Sequence, residues 1–146
     1  MRVLALDIGE VRCGLAISDP SQTLASPLCV LPTQEVIQNA KSFKRLVEAW
    51  EPELLLAGMP ISLTGEAGNQ AKRITRQAQQ ISENCNLPLE FCDERLSSKE
   101  AKRILREQGL DEKSMRGKVD MVAASLFLQS WLDRNQQEEE GSRNGA

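Results

Sequence analysis

Histidine and tyrosine are absent from these 146 residues, and aromatic side chains make up only 3%. Those absences exclude a histidine general base, a Ser–His–acid triad and a tyrosine nucleophile. The four cysteines, Cys13, Cys29, Cys85 and Cys92, form no C-x-x-C pair. With no histidine to join them they cannot supply the usual structural zinc spacings. Each lies in an apolar stretch, which predicts buried, reduced thiols of the cytosolic kind. The longest apolar run without charge, Met121 to Leu132, falls well short of the roughly 20 residues that cross a bilayer. The N-terminus meets Asp7 too early to hold the about 7–15 apolar residues of a signal peptide, so the chain is expected to start inside the fold. No membrane association is expected. Carboxylates, cysteines, hydroxyls, lysines and any metal the carboxylates can hold are what remains for chemistry, and carboxylates come first.

What is present is ordinary globular material: 40% hydrophobic and 27% charged residues in 16.2 kDa, enough for one compact domain with an aliphatic core. The formal charge of −3 hides an asymmetry. Residues 1–66 carry 5 basic and 8 acidic side chains, whereas Arg95 to Lys118 carry 8 basic and 4 acidic. That basic segment allows a phosphate partner, although the overall acidity opposes strong non-specific binding to nucleic acid at physiological salt.

Val3–Ile8, a turn at Gly9 and then Cys13–Asp19 predict a strand, a short turn and a second strand. Leu28–Leu31, between Pro20 and Pro32, predicts a third, completing an antiparallel meander. Val36, Ala40, Phe43, Val47 and Trp50 fall on one face of an amphipathic helix that ends before Pro52. Glu53–Gly58 predicts a strand covered on both faces. A second helix from Asn69 carries Ala71, Ile74, Ala78, Ile81 and Cys85 on one face and leads to a strand at Leu87–Cys92. Lys99–Gln108 predicts a third helix, Gly109–Gly117 a polar connection and Val119–Leu132 an apolar helix. The expected fold is α/β: a five-stranded mixed sheet, three antiparallel strands then two parallel ones, with helices on both faces. Residues 1–133 form the folded domain in this reading. Residues 134–146, with Glu138–Glu140 and little apolar content, form a flexible acidic tail.

Three acids stand at predicted element ends. Asp7 closes an apolar strand before Gly9, where burying it unpaired is costly; the blander alternative is a turn cap. Asp93 and Glu94 follow the strand at Leu87–Cys92, whose C-terminal end opens on the same edge if the strand is parallel. Asp120 opens a helix whose next twelve residues carry no charge. Either of the latter two alone fits an acid near a helix N-terminus. Together, three converging carboxylates would repel one another unless a divalent cation neutralised them, and such ligands suit Mg²⁺ or Mn²⁺. Two such ions about 4 Å apart can cleave a phosphodiester without histidine.

Lys99, Lys102, Arg103 and Arg106 share one face of the third helix, with Ala101, Ile104 and Leu105 opposite. Glu100 and Glu107 lie nearby, so a merely solvated face is the alternative. Arg12, Arg116 and Lys118 add cations beside two of the acids, placed to meet phosphates.

Leu6-Asp7-Ile8-Gly9 with Arg12, Gly14-Leu15-Ala16 and Ser18-Asp19, then Gly58-Met59-Pro60, Asp93-Glu94-Arg95-Leu96-Ser97-Ser98 and Val119-Asp120 with Ala123-Ala124 resemble the YqgF (RuvX) family over most of residues 2–133. The resemblance implies an RNase H-like fold related to the RuvC resolvases and a metal-dependent nuclease site. It maps Asp7, Glu94 and Asp120 onto the family's acidic site and Arg12 and Arg95 onto its motif arginines. It implies a cytoplasmic role in trimming the 5′ end of pre-16S rRNA, with pre-rRNA and ribosomal particles as partners, or else Holliday-junction resolution. A binding factor for RNA or the ribosome that retains the acids but cleaves little is the rival from another class. Ser97-Ser98 replaces the family's threonine pair, and the fourth acid of the resolvase relatives has no counterpart between Asp120 and Asp133. An actin-like ATPase also opens on a D-x-G hairpin, but needs two such domains, and no G-x-x-x-x-G-K-[ST] loop is present. Oligomeric state is left open.

Overall fold

The structure, a computed structural model, describes residues 1–60, 65–94 and 97–144. Strands β1 (Val3–Ile8), β2 (Arg12–Ser18) and β3 (Ala25–Pro32) are followed by helices α1 (Thr33–Ile37) and α2 (Lys41–Trp50). Then come β4 (Leu54–Met59), α3 (Gly65–Cys85), β5 (Leu89–Asp93), α4 (Ser97–Glu107), α5 (Glu112–Met115) and α6 (Val119–Asn144). The sheet order is β3-β2-β1-β4-β5. β1–β2 and β2–β3 are antiparallel, β1–β4 and β4–β5 parallel, as the sequence predicts.

Both faces of the central strands are covered, so their sequences read as continuous apolar runs. Leu4, Leu6, Ile8, Leu15, Ile17 and Leu55 pack on one side with Phe43 of α2 and Ile74, Ala78 and Ile81 of α3. Val3, Ala5, Ala16, Leu54 and Leu56 pack on the other with Ala124, Phe127, Leu128 and Leu132 of α6. No described helix is long and apolar enough to cross a membrane.

Three elements differ from expectation. The single helix predicted from Val36 to Trp50 is two, because Asn39 adopts a left-handed φ of 53° and Ala40 is extended. Asparagine tolerates that conformation, and the break is clipped to the end of α3: Asn84 Nδ2 donates to the Ile37 carbonyl at 2.8 Å. Trp50 leaves the apolar face and stacks under the Arg2 guanidinium, 5.5 Å from the ring centre. The connection at 109–117 contains α5, capped by the Asp111 side chain accepting from the Ser114 amide at 2.8 Å and anchored by buried Met115. Finally, α6 does not end at Leu132 but runs on to Asn144. Gln129 Nε2 donates to the Thr23 carbonyl at 2.9 Å, and Gln136 Nε2 to the Gln22 carbonyl at 3.2 Å, which lays the helix against the β2–β3 turn.

The described cysteines form no disulfide. Burial pushes all four thiols up, Cys92 to about 12 and Cys13 well above its ordinary value, so none is a ready nucleophile.

Candidate active site at the acidic sheet edge

The site is built by strand parity. Val3 and Ala5 face α6, so Asp7 on the same strand faces it too. Asp7 pairs with Gly14 of β2, and the β1–β4 register, Leu6 opposite Ala57, sets it level with Gly58 of β4. Asp7 is thus flanked by two glycines. A Cβ on Gly14 would lie 2.1 Å from the carbonyl carbon of Asp120, so the absence of one lets the first turn of α6 press on β2. That contact carries Asp120 to Asp7. A Cβ on Gly58 would lie 2.7 Å from the Phe127 ring and 3.0 Å from Cβ of Glu94. The Glu94 amide donates to the Met59 carbonyl at 3.0 Å, prolonging the β4–β5 ladder by one residue and fixing where its side chain leaves the sheet. A glycine inside a strand marks a close backbone approach, so Gly14 and Gly58 are the residues from which the seats of Asp120 and Glu94 could have been read.

The electrostatics link Asp7 to both of the other acids. Burial, then the charges of Glu94 and Asp120, push the Asp7 carboxyl up to about 8, and a hydrogen bond with Glu94 leaves the proton on Asp7. Glu94 is raised by burial, while the Asp7 hydrogen bond and the charge of Arg73 hold it back. Asp120 is raised by burial and opposed by Arg12. Arg73, on α3, was not singled out from the sequence; its guanidinium donates to the Ile8 carbonyl at 3.3 Å and to Gln77 at 2.8 Å. Only its tertiary placement reveals it, because in sequence it is one cation of a solvated helix.

Arg12 and the cations of the basic segment divide. Arg12 donates to the Arg116 carbonyl at 3.0 Å, tying the β1–β2 turn to the loop before α6. Lys102, Arg106 and Arg116 line a cavity of about 230 Å³ with Glu112, Met115 and Val119. Arg103 instead pairs along its own helix with Glu100 and Glu107. Lys99 and Lys118 are exposed. Arg95 lies outside the described residues.

Among the described residues no three Asp, Glu or Cys side chains stand in metal-holding geometry. The donor chemistry nevertheless fits a hard divalent cation: three carboxylates at one sheet edge, each raised first by burial, with Asp7 raised further by the charges of Glu94 and Asp120. The ordinary carboxyl value of Asp7, 3.8, rises to about 8 in the fold. The native state therefore holds this proton more tightly than the unfolded chain does. Its stabilising contribution is complete below about pH 4 and lost as pH climbs towards about 8. In chelator the melting temperature is expected to fall between about pH 5 and pH 8, and Asp7→Asn, which cannot ionise, to flatten that fall. Thermal melts in EDTA across that range read the difference, and equal slopes in both proteins would remove Asp7 as its source. Asp19, drawn down to about 2 by hydrogen bonds from Ser21, Leu24 and Thr23, acts only in the acid range.

A five-stranded mixed sheet of order β3-β2-β1-β4-β5, covered by helices on both faces, is an RNase H-like fold. The RuvC of T. thermophilus bound to a Holliday junction substrate superposes with a TM-score of 0.54 at 15% identity, over 93% of this chain and 96% of that one. The fowlpox virus resolvase in complex with junction DNA gives 0.53 at 14%, over 92% and 98%. The chain belongs to the RuvX family, whose profile, described as Holliday junction resolvase, matches residues 1–134. A relative from Anaeromyxobacter sp. (strain Fw109-5), named "Putative pre-16S rRNA nuclease", is 37% identical over 91% of this chain and 97% of its own length. One of the same name from Synechocystis sp. is 37% identical over 97% and 93%.

Proposed function

We propose that this chain is a divalent-metal-dependent nuclease that trims the 5′ end of pre-16S rRNA in the cytoplasm. The observation that carries the proposal is the seating of Asp7, Glu94 and Asp120 around two glycines at one sheet edge, each acid shifted upward by burial and Asp7 also by its two neighbours. The name of the relatives at 37% identity supports the choice of RNA.

Asp7, Glu94 and Asp120 would hold Mg²⁺ or Mn²⁺. When bound, such a cation polarises the scissile phosphate, lowers the pKa of a coordinated water and stabilises the leaving oxygen. The protein's own share is placement. Gly14 and Gly58 set the distances between acids, Arg12 offsets Asp120, and Arg73 keeps Glu94 nearer its ionised form. With no histidine in the chain, proton movement falls to these carboxylates and to water. Arg12, Lys102, Arg106 and Arg116 offer cations to the flanking phosphates, with Lys99, Lys118, Arg103 and Arg95 completing the basic segment.

The test is cleavage of an end-labelled RNA carrying the leader and 5′ end of pre-16S rRNA, beside a four-way DNA junction, in Mn²⁺ or EDTA. Metal-dependent cutting of the RNA alone supports the proposal; cutting of the junction alone moves the substrate to branched DNA. RNA bound but not cut by wild type points to the binding factor.

A second expectation concerns the basic segment. Lys102→Ala with Arg106→Ala should flatten the salt dependence of RNA binding, by about 0.7 for each phosphate of a single strand that the variant no longer neutralises. Arg103→Ala should flatten it less, because Glu100 and Glu107 already offset that charge. A salt titration of affinity separates them, and a larger loss from Arg103 would contradict this assignment.

A further inference from the structure

Helix α3 carries cations that the acidic edge does not engage. Lys72 and Arg76 stand one helical turn apart, both exposed, in a groove of about 750 Å³ that they line with Met59, Asn69, Thr75 and Gln79. No described carboxylate lines it. The groove begins where the acids do: Met59, one of its walls, accepts the backbone hydrogen bond of Glu94 at 3.0 Å. Asn69 also lines an adjoining depression of about 550 Å³ with Glu10, Gln70 and Arg73. The two depressions, joined at Asn69, form a path over α3 to Arg73, which donates to the Ile8 carbonyl and offsets the charge of Glu94.

The lining chemistry selects the ligand. Cations one turn apart stand about 5–6 Å from each other at Cβ, comparable with successive phosphates along one strand. Amide and hydroxyl side chains between them suit ribose and phosphate oxygens. The absence of any described aromatic in the lining leaves no stacking platform for bases, so contact is to the backbone and tolerant of sequence. α3 packs on the sheet face opposite α6, so this path approaches the acids from the side away from Lys102, Arg106 and Arg116.

We propose that the α3 groove is a second phosphate track, in which Lys72 and Arg76 hold a single-stranded segment of the RNA beside the scissile bond. The proposal rests on the acidic edge being the cleavage site. Binding is measured by fluorescence anisotropy of an end-labelled single-stranded RNA in EDTA, so that no cutting occurs. Lys72→Ala with Arg76→Ala is compared with wild type and with a control, Lys41→Ala with Lys44→Ala, which removes two exposed lysines from α2. The α3 pair is expected to lower affinity roughly tenfold at low salt and to make the log–log salt slope shallower by about 1.4, with the control unchanged. Lys72→Glu with Arg76→Glu should weaken binding further. A far-ultraviolet melt confirms that these exposed changes leave the fold intact.

Unchanged slope and affinity in the α3 pair, an equal loss in the control, or no binding by wild type would overturn the track. Cleavage of the same RNA in Mn²⁺ tests the acidic edge separately. Wild type that binds through α3 but never cuts leaves the track and removes the nuclease reading. Wild type that cuts while the α3 pair binds normally removes only the track.

Discussion

Asp7→Asn is expected to reduce metal-dependent cleavage by roughly 10²–10³-fold or more, while leaving RNA affinity in EDTA equal to that of wild type or higher. The substitution keeps the shape and hydrogen-bonding capacity of the side chain and removes one charge from the centre of the acid group. Asp7 is the member that feels both others, since Glu94 and Asp120 each raise it. It is therefore the member whose loss most weakens cation binding. Removing the cost of ionising a buried carboxyl beside Glu94 and Asp120 also makes the variant more heat-resistant than wild type in EDTA at about pH 8, by an amount on the order of 2 kcal/mol. Addition of Mn²⁺ should raise the melting temperature of wild type and move Asp7→Asn little, a readout independent of cutting. Cleavage that survives in the variant would show that Asp7 holds no essential metal.

Gly14→Ala should damage the protein more than any acid substitution does. Its new Cβ would fall 2.1 Å from the carbonyl carbon and 2.2 Å from the carbonyl oxygen of Asp120, backbone atoms that no rotamer change can move. α6 must lift off β2, opening the layer held by Ala124, Phe127 and Leu128 and carrying Asp120 away from Asp7. The expected cost is about 3 kcal/mol or more, which corresponds to a fall in melting temperature of roughly 10 °C. Cleavage should be lost even where the chain stays folded. Gly58→Ala should cost less, because its new methyl meets the Phe127 ring and the Glu94 Cβ, both side-chain atoms. Gly117→Ala has nothing within 4 Å and serves as the control, expected to stay within about 0.5 kcal/mol of wild type. Calorimetry on the three variants ranks them, and a Gly14 variant as stable as the Gly117 variant would refute the close seat of α6.

The sheet and the acids were legible in the sequence because both depend on local patterns. Apolar runs bounded by glycine and proline mark the strands, and an ionisable residue at the end of such a run is conspicuous. Asp7 and Glu94 stand at the ends of such runs and Asp120 at the start of an uncharged helix, and in the fold the charges of Glu94 and Asp120 both act on Asp7. What stayed hidden depends on partners distant in sequence. The break at Asn39 needs Asn84 to hold it, and apolar spacing alone carries through it. Arg73 becomes a neighbour of Glu94 only when α3 is laid on the sheet. The continuation of α6 past 133 follows from a different cause. Its later residues are poor in apolar groups, but Gln, Glu and Arg are good helix formers. Extending an existing helix also avoids the cost of nucleation.

The close seat of α6 also has a temporal side. The β1–β2 hairpin that bears Asp7 and Gly14 is local and comes off the ribosome early, whereas Asp120 belongs to the final helix. Non-local contacts of this kind form late, after loop closure has been met. A nascent chain lacking α6 thus has a paired hairpin and an incomplete acid group, so the chain acquires its full complement of acids only when it is almost finished.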